Sequence, residues 1–211
     1  MKKYCAELIG TFILVFTGTG AIVINELYGS VTHLGVGLTF GLVVMAVIYS
    51  IGEISGAHIN PAVSIAFWVA KRMDGKEVLP YVLFQLLGAF LASFTIKMLF
   101  PESNFLGATL PAGSWEQSFI LEFILTFILM FVILQVSSGS KETGAMAAIT
   151  IGAVVGLEAI FAGPVCGASM NPARSLSPAV LAGHLAHLWV YVVATTLGAV
   201  ASVGAYSLIK S

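Results

Sequence analysis

Two asparagines carry the most specific chemistry in this sequence. Asn60 and Asn171 each open the same tripeptide, Asn60-Pro61-Ala62 and Asn171-Pro172-Ala173. Their frames match as well: Ser55-Gly56-Ala57-His58-Ile59 leads into the first, and Cys166-Gly167-Ala168-Ser169-Met170 into the second. Asn before Pro is a helix start, because the Asn side chain caps free N–H groups and Pro at the first helical position loses no needed donor. Arg174 directly follows the second tripeptide. A guanidinium in apolar sequence is costly in a membrane and marks function there, with a structural ion pair as the alternative. Glu7 and Glu122 are acids in apolar runs, each four residues before a threonine, Thr11 or Thr126. Buried carboxylates need donors. No nucleophile–base pair or metal cluster is evident, and His58 has no second ligand at suitable spacing, so neither an enzyme nor a bound metal or cofactor is expected.

The elements that position these residues must lie in lipid. Of the 211 residues 58% are hydrophobic and 9% charged, where soluble domains carry about 25% charged residues. The mean hydropathy is +1.00. A net charge of −1 argues against nucleic acid as a partner. Cys5 and Cys166 sit far apart in apolar segments and suggest no disulfide framework. Six spans are predicted, at about 5–25, 33–52, 79–99, 116–136, 144–163 and 187–208. The first is read as a membrane helix rather than a cleaved leader, because its apolar run is long enough to span. Turn-like connections are expected from Asn25 to Thr32, from Pro101 to Ser114 and from Ser137 to Thr143.

The segments after the two tripeptides, Val63 to about Lys71 and Arg174 to about Gly183, are too short to cross. A half-helix of ~10 residues reaches ~15 Å, half of a ~30 Å hydrocarbon core. Two of them entering from opposite faces would meet near the midplane, and such broken helices point to a solute path. The halves echo each other: Gly41 and Gly152 each lie 19 residues before their Asn, and Gly52 and Gly163 each lie 8 before. Three spans per half make the second half inverted, so the chain reads as one channel domain, 1–211, with repeats at 1–105 and 114–211. Lys2, Lys3, Lys71, Arg72, Lys76, Lys141 and Lys210 all fall on one side, which is therefore expected to be cytoplasmic, with both termini. Lys97, near the outer end of the third span, is expected to snorkel to the interface.

The doubled Asn-Pro-Ala, the Glu7/Glu122 pair and Arg174 together resemble the aquaporin, or major intrinsic protein, family over essentially the whole chain. Ile54-Ser55-Gly56-Ala57-His58 and the segment Ala162 to Met170 are most similar to its nodulin-26-like branch. The resemblance implies an all-α bundle of six transmembrane helices and two re-entrant half-helices in an inverted repeat, assembled as a homotetramer in the plasma membrane. It implies that Asn60 and Asn171 turn their amides toward the pore, that Glu7 and Glu122 hold the loops, and that His58 and Ser169 present backbone carbonyls to the path. It places Arg174 at the narrow outer constriction with Phe40, Ala159 and Ala168, which lie 20 residues before Asn60 and 12 and 3 before Asn171. Water-selective members of the family have His where Ala159 stands, so a wider, less polar filter is implied.

Glu53 departs from the nodulin-26-like pattern, which has His there; it is either solvated in the cytoplasmic vestibule or tunes entry. Glu158 adjoins Ala159, and adjacent helical residues point ~100° apart, so it is expected to face away from the path and to stand behind the second loop. The expected function is a passive channel for water and small uncharged solutes such as glycerol, urea or undissociated metalloid acids (arsenite, boric or silicic acid), with ions and protons excluded. A strict water channel, a proton-coupled small-solute transporter using its buried acids, and a structural membrane protein are the rivals.

Overall fold

A computed structural model describes residues 1–138 and 146–210. Its described residues form eight helices: α1 (Lys2–Tyr28), α2 (Thr32–Ser55), α3 (Pro61–Val69), α4 (Gly75–Leu99), α5 (Trp115–Val136), α6 (Ala147–Cys166), α7 (Pro172–Ala182) and α8 (Leu188–Lys210). Six are long and apolar enough to cross a membrane, while α3 and α7 have 9 and 11 residues. The spans run beyond the predicted limits at most ends. Asn25 to Tyr28, expected in a turn, continue α1 until Gly29 takes a left-handed conformation at φ 65° and stops it. Lys141 and most of the expected 137–143 connection lie outside the described residues.

The bundle inverts the polarity of a soluble one. Leu79, Leu83, Leu87 and Leu91, spaced one turn apart on α4, are all exposed, as are Leu34, Leu38 and Leu42 on α2. Such apolar outer faces suit a hydrocarbon solvent. Glu7, Gln85, Glu122, Glu158 and Arg174 are instead buried. Helix association in lipid depends on close packing at small residues, and glycines mark the crossings. Gly88 of α4 lies against the Leu8 carbonyl of α1, and Gly198 of α8 against the Phe123 carbonyl of α5. Between the two halves α2 crosses α6 with Gly41 and Gly152 face to face. A Cβ on Gly41 would stand 2.7 Å from the Gly152 oxygen, and one on Gly152 would stand 2.6 Å from the Gly41 oxygen.

That reciprocal clash is with backbone, so no rotamer relieves it. Gly41→Val is expected to destabilise the protein by at least about 2 kcal/mol, the range for overpacking a tight core. Thermal unfolding in detergent reads this directly, and a melting temperature equal to wild type would show that the seam tolerates separation.

Candidate functional site

The two short helices begin in the interior. Asn60 caps α3, its Oδ1 accepting from Ala62 N at 2.9 Å; Asn171 caps α7, its Oδ1 accepting from Ala173 N at 3.0 Å and Arg174 N at 3.4 Å. The amide nitrogens then cross over. Asn60 Nδ2 donates to the Met170 carbonyl at 2.7 Å, and Asn171 Nδ2 donates to the Ile59 carbonyl at 2.8 Å. Two helix N-termini are thereby stapled together by one pair of reciprocal hydrogen bonds. Each terminus carries roughly half a positive elementary charge, so the junction is electropositive.

The loops leading into these caps are strained. Ala57 and Ile59 have φ of 47° and 44°, and Ala168 and Met170 have 41° and 52°. A left-handed backbone costs roughly 1–3 kcal/mol at a non-glycine residue, more at β-branched Ile59, and persists only where the surroundings enforce it. The enforcement comes from the two buried acids. Glu7 accepts from His58 N at 2.9 Å and Ile59 N at 2.6 Å, and also from Ser55 Oγ and Gln85 Nε2, each at 2.7 Å. Glu122 accepts from Ser169 N at 2.7 Å and Met170 N at 2.9 Å. Ser55 and Cys166 occupy matching positions: Ser55 Oγ accepts from Ala57 N at 3.1 Å, and Cys166 Sγ from Ala168 N at 3.4 Å.

A cavity of about 640 Å³ runs along the caps. Asn60, Asn171, His58, Ser169, Phe40, Ala168, Arg174 and Glu53 all line it. Arg174 is 2% exposed, donates from Nη1 to the Gly107 carbonyl at 2.8 Å, and lies 5.2 Å above the Phe40 ring. It forms no ion pair among the described residues, so its charge is held by a carbonyl and an aromatic face. Ala159 is buried in the apolar cluster that contains Phe40 and Ala168, but it is not part of the cavity lining. Glu53 is exposed at the mouth.

Three placements refine the sequence reading. The His58 side chain has a structural setting, with Nδ1 at 3.0 Å from Ser64 Oγ and its ring stacked 4.6 Å from Phe67. Glu158 is 2% exposed and absent from the cavity wall, and neither of its oxygens has a hydrogen-bond partner among the described residues. In the second loop the Ser169 and Met170 N–H groups go to Glu122 instead. Lys97 donates to the Leu181 carbonyl at 2.7 Å, capping the C-terminal end of α7. Gln85, a fourth donor to Glu7, is not evident from the sequence because a polar residue in an apolar span carries no partner with it; its buried position beside Glu7 emerges only from helix packing.

Residues 1–206 match the family model for the major intrinsic protein, MIP. The chain belongs to the major intrinsic protein family. It is 46% identical to Aquaporin NIP1-1 of Zea mays over 213 residues, covering 100% of this chain and 75% of that protein. It is 44% identical to a probable NIP-type aquaporin of Nicotiana alata, covering 100% and 78%, and 44% identical to Aquaporin NIP3-1 of Arabidopsis thaliana, covering 100% and 68%. The X-ray structure of the aquaglyceroporin from Plasmodium falciparum superposes with a TM-score of 0.90 at 29% identity, covering 99% of this chain and 96% of that one. As a major intrinsic protein the chain is an integral membrane channel for water and small solutes, not an enzyme, with the all-α aquaporin fold.

The carboxylate contacts yield a stability prediction. A Gln at position 122 keeps one acceptor oxygen but turns an NH2 toward a backbone N–H. Glu122→Gln should cost about 1–3 kcal/mol, the penalty for one unsatisfied buried donor. Circular-dichroism melts would detect it. A fully stable Glu122→Gln that lost a pH-driven flux would instead favour proton-coupled transport.

Proposed function

We propose that this channel passes water together with small uncharged solutes larger than water, of the class of glycerol, urea and undissociated metalloid acids, and excludes ions and protons. The single observation that carries this reading is the Phe40–Ala168–Arg174 group on the cavity wall, in which the Arg174 guanidinium lies over the Phe40 ring and the small Ala168 lines the same cavity. Arg174 offers donors to hydroxyl or amide oxygens. Phe40 offers an apolar wall to a carbon backbone. Ala159 is assigned to the same filter; its small side chain leaves room that the His of water-selective relatives would fill.

Ion exclusion is read from charge. The buried Arg174 and the two converging helix N-termini present positive potential along the path, and in a low dielectric that potential is poorly screened. Asn60 and Asn171 are assigned as midplane donors, His58 and Ser169 as carbonyl-bearing wall residues, Glu7 and Glu122 as loop supports, and Glu53 as a residue of the inner mouth. Repeats at 1–105 and 114–211, cytoplasmic termini, a plasma-membrane location and a homotetramer complete the reading; family membership supports the assembly, and the one-sided lysines support the orientation.

Reconstituted vesicles test the reading. Water, glycerol and urea should all equilibrate faster than through lipid alone, without saturation and without an ion gradient. Fast water flux with glycerol, urea and arsenite at background would leave a strict water channel. Arg174→Ala should open a cation or proton leak, read by a pH-sensitive dye; no leak would remove Arg174 from the barrier. Ala159→His should lower glycerol flux relative to water by roughly tenfold, the scale of steric discrimination in a tight pocket.

A further inference from the structure

Pro164 lies inside α6, two turns before the second half-helix begins. Its nitrogen carries no hydrogen, so the Ile160 carbonyl, four residues earlier, loses its helical partner. In a membrane helix such a freed carbonyl is satisfied by a neighbouring helix, a polar side chain or ordered water, and this one lies at an exposed position near the N-terminal end of α2. His33, in the first turn of α2, supplies the bond: its Nε2 stands 2.6 Å from the Ile160 oxygen. A carbonyl only accepts, so Nε2 bears the hydrogen.

The surrounding packing is shaped to admit this contact. A Cβ on Gly163 would lie 2.9 Å from His33 Cε1, and one on Gly37 would lie 3.1 Å from the Ile160 backbone nitrogen. Ile160 is therefore gripped by α2 at two successive turns, through His33 and Gly37. Its sequence neighbour is Ala159, and three residues beyond Gly37 is Phe40, both in one apolar cluster. The position that matches Pro164 in the first half, seven residues before its Asn, is Glu53, which retains its N–H. The first half thus needs no equivalent brace.

We propose that His33 is a positioning residue of the filter: it replaces the hydrogen bond that Pro164 removes from Ile160, and so fixes the spacing between α2 and α6 at Phe40 and Ala159. The proposal rests on the filter assignment given above. Without the brace the outer turns of α6 swing away from α2, and the gap between Phe40 and Ala159 widens.

A double-mutant cycle in vesicles tests it, read as the ratio of glycerol to water permeability, which does not depend on how many channels are folded. His33→Ala should raise the ratio by between roughly twofold and tenfold, the range that one hydrogen bond supports. Pro164→Ala restores a backbone N–H for Ile160, so His33→Ala added to it should change the ratio little. An unchanged ratio in His33→Ala, or an equal change in both backgrounds, would overturn the proposal. Wild-type vesicles that pass water but no glycerol would refute the solute reading alone. The cycle is then read in melting temperature: a loss on His33→Ala that Pro164→Ala abolishes supports the brace, and an equal loss in both backgrounds refutes it.

Discussion

A helix that starts in the middle of a membrane leaves its first N–H groups where no bulk water can reach them, and every other feature of this protein is arranged around that problem. Such groups cost several kcal/mol each if left bare in hydrocarbon. Here Asn60 and Asn171 cap their own helices and tie the facing loops together, while Glu7 and Glu122 collect the N–H groups of His58, Ile59, Ser169 and Met170. The carboxylates belong to α1 and α5. The strained loops are thereby tied to helices that pack through the glycine contacts at Gly88 and Gly198. Helix packing, loop strain and the electropositive junction form one chain of dependence.

The two halves solve the problem unequally. Glu7 accepts four hydrogen bonds, two of them from Ser55 and Gln85, whereas Glu122 accepts two from the backbone and one from the Cys166 thiol. Cys166 stands in place of Ser55, and Thr195, which matches Gln85, bonds its own helix at Tyr191. Tyr81 donates to the Ser55 carbonyl, while the hydroxyl of its counterpart Tyr191 is buried without a partner among the described residues. Glu158 adds a carboxyl whose oxygens have no hydrogen-bond partner among the described residues. The second half-helix, which carries Arg174, is tied along its length instead: Arg174 to the Gly107 carbonyl, Ser175 to Thr109, Ser177 to Ser93, and the Leu181 carbonyl to Lys97.

The spans, the half-helices and their caps were legible because each has a local cause: an apolar run of sufficient length, or Asn before Pro. Helix ends were less so. Gly29 and Gly167 stop helices by left-handed conformations that their neighbours do not announce. The acids were identifiable as a pair, but Gln85 and the crossed Asn60–Met170 and Asn171–Ile59 bonds join residues far apart in sequence, so nothing local reveals them. The same holds for His33 and Ile160, 127 residues apart. Glu158 was expected to stand behind the second loop; the loop's Ser169 and Met170 N–H groups go to Glu122. Ala159 was placed in the filter by alignment, and the cavity wall passes through Phe40, Ala168 and Arg174.

The proposed neutral-solute path runs past two capped helix N-termini stapled by amide donors at midmembrane. Asn60→Asp tests it most directly, because it keeps the cap's oxygen and size, removes the donor to Met170 and places a negative charge at the junction. Stopped-flow swelling and cation flux, measured on the same vesicles with correctly folded Asn60→Asp protein, should show water flux falling by about an order of magnitude and cations newly admitted, the scale of one buried charge-assisted contact. Unchanged water flux with cations still excluded would contradict the claim.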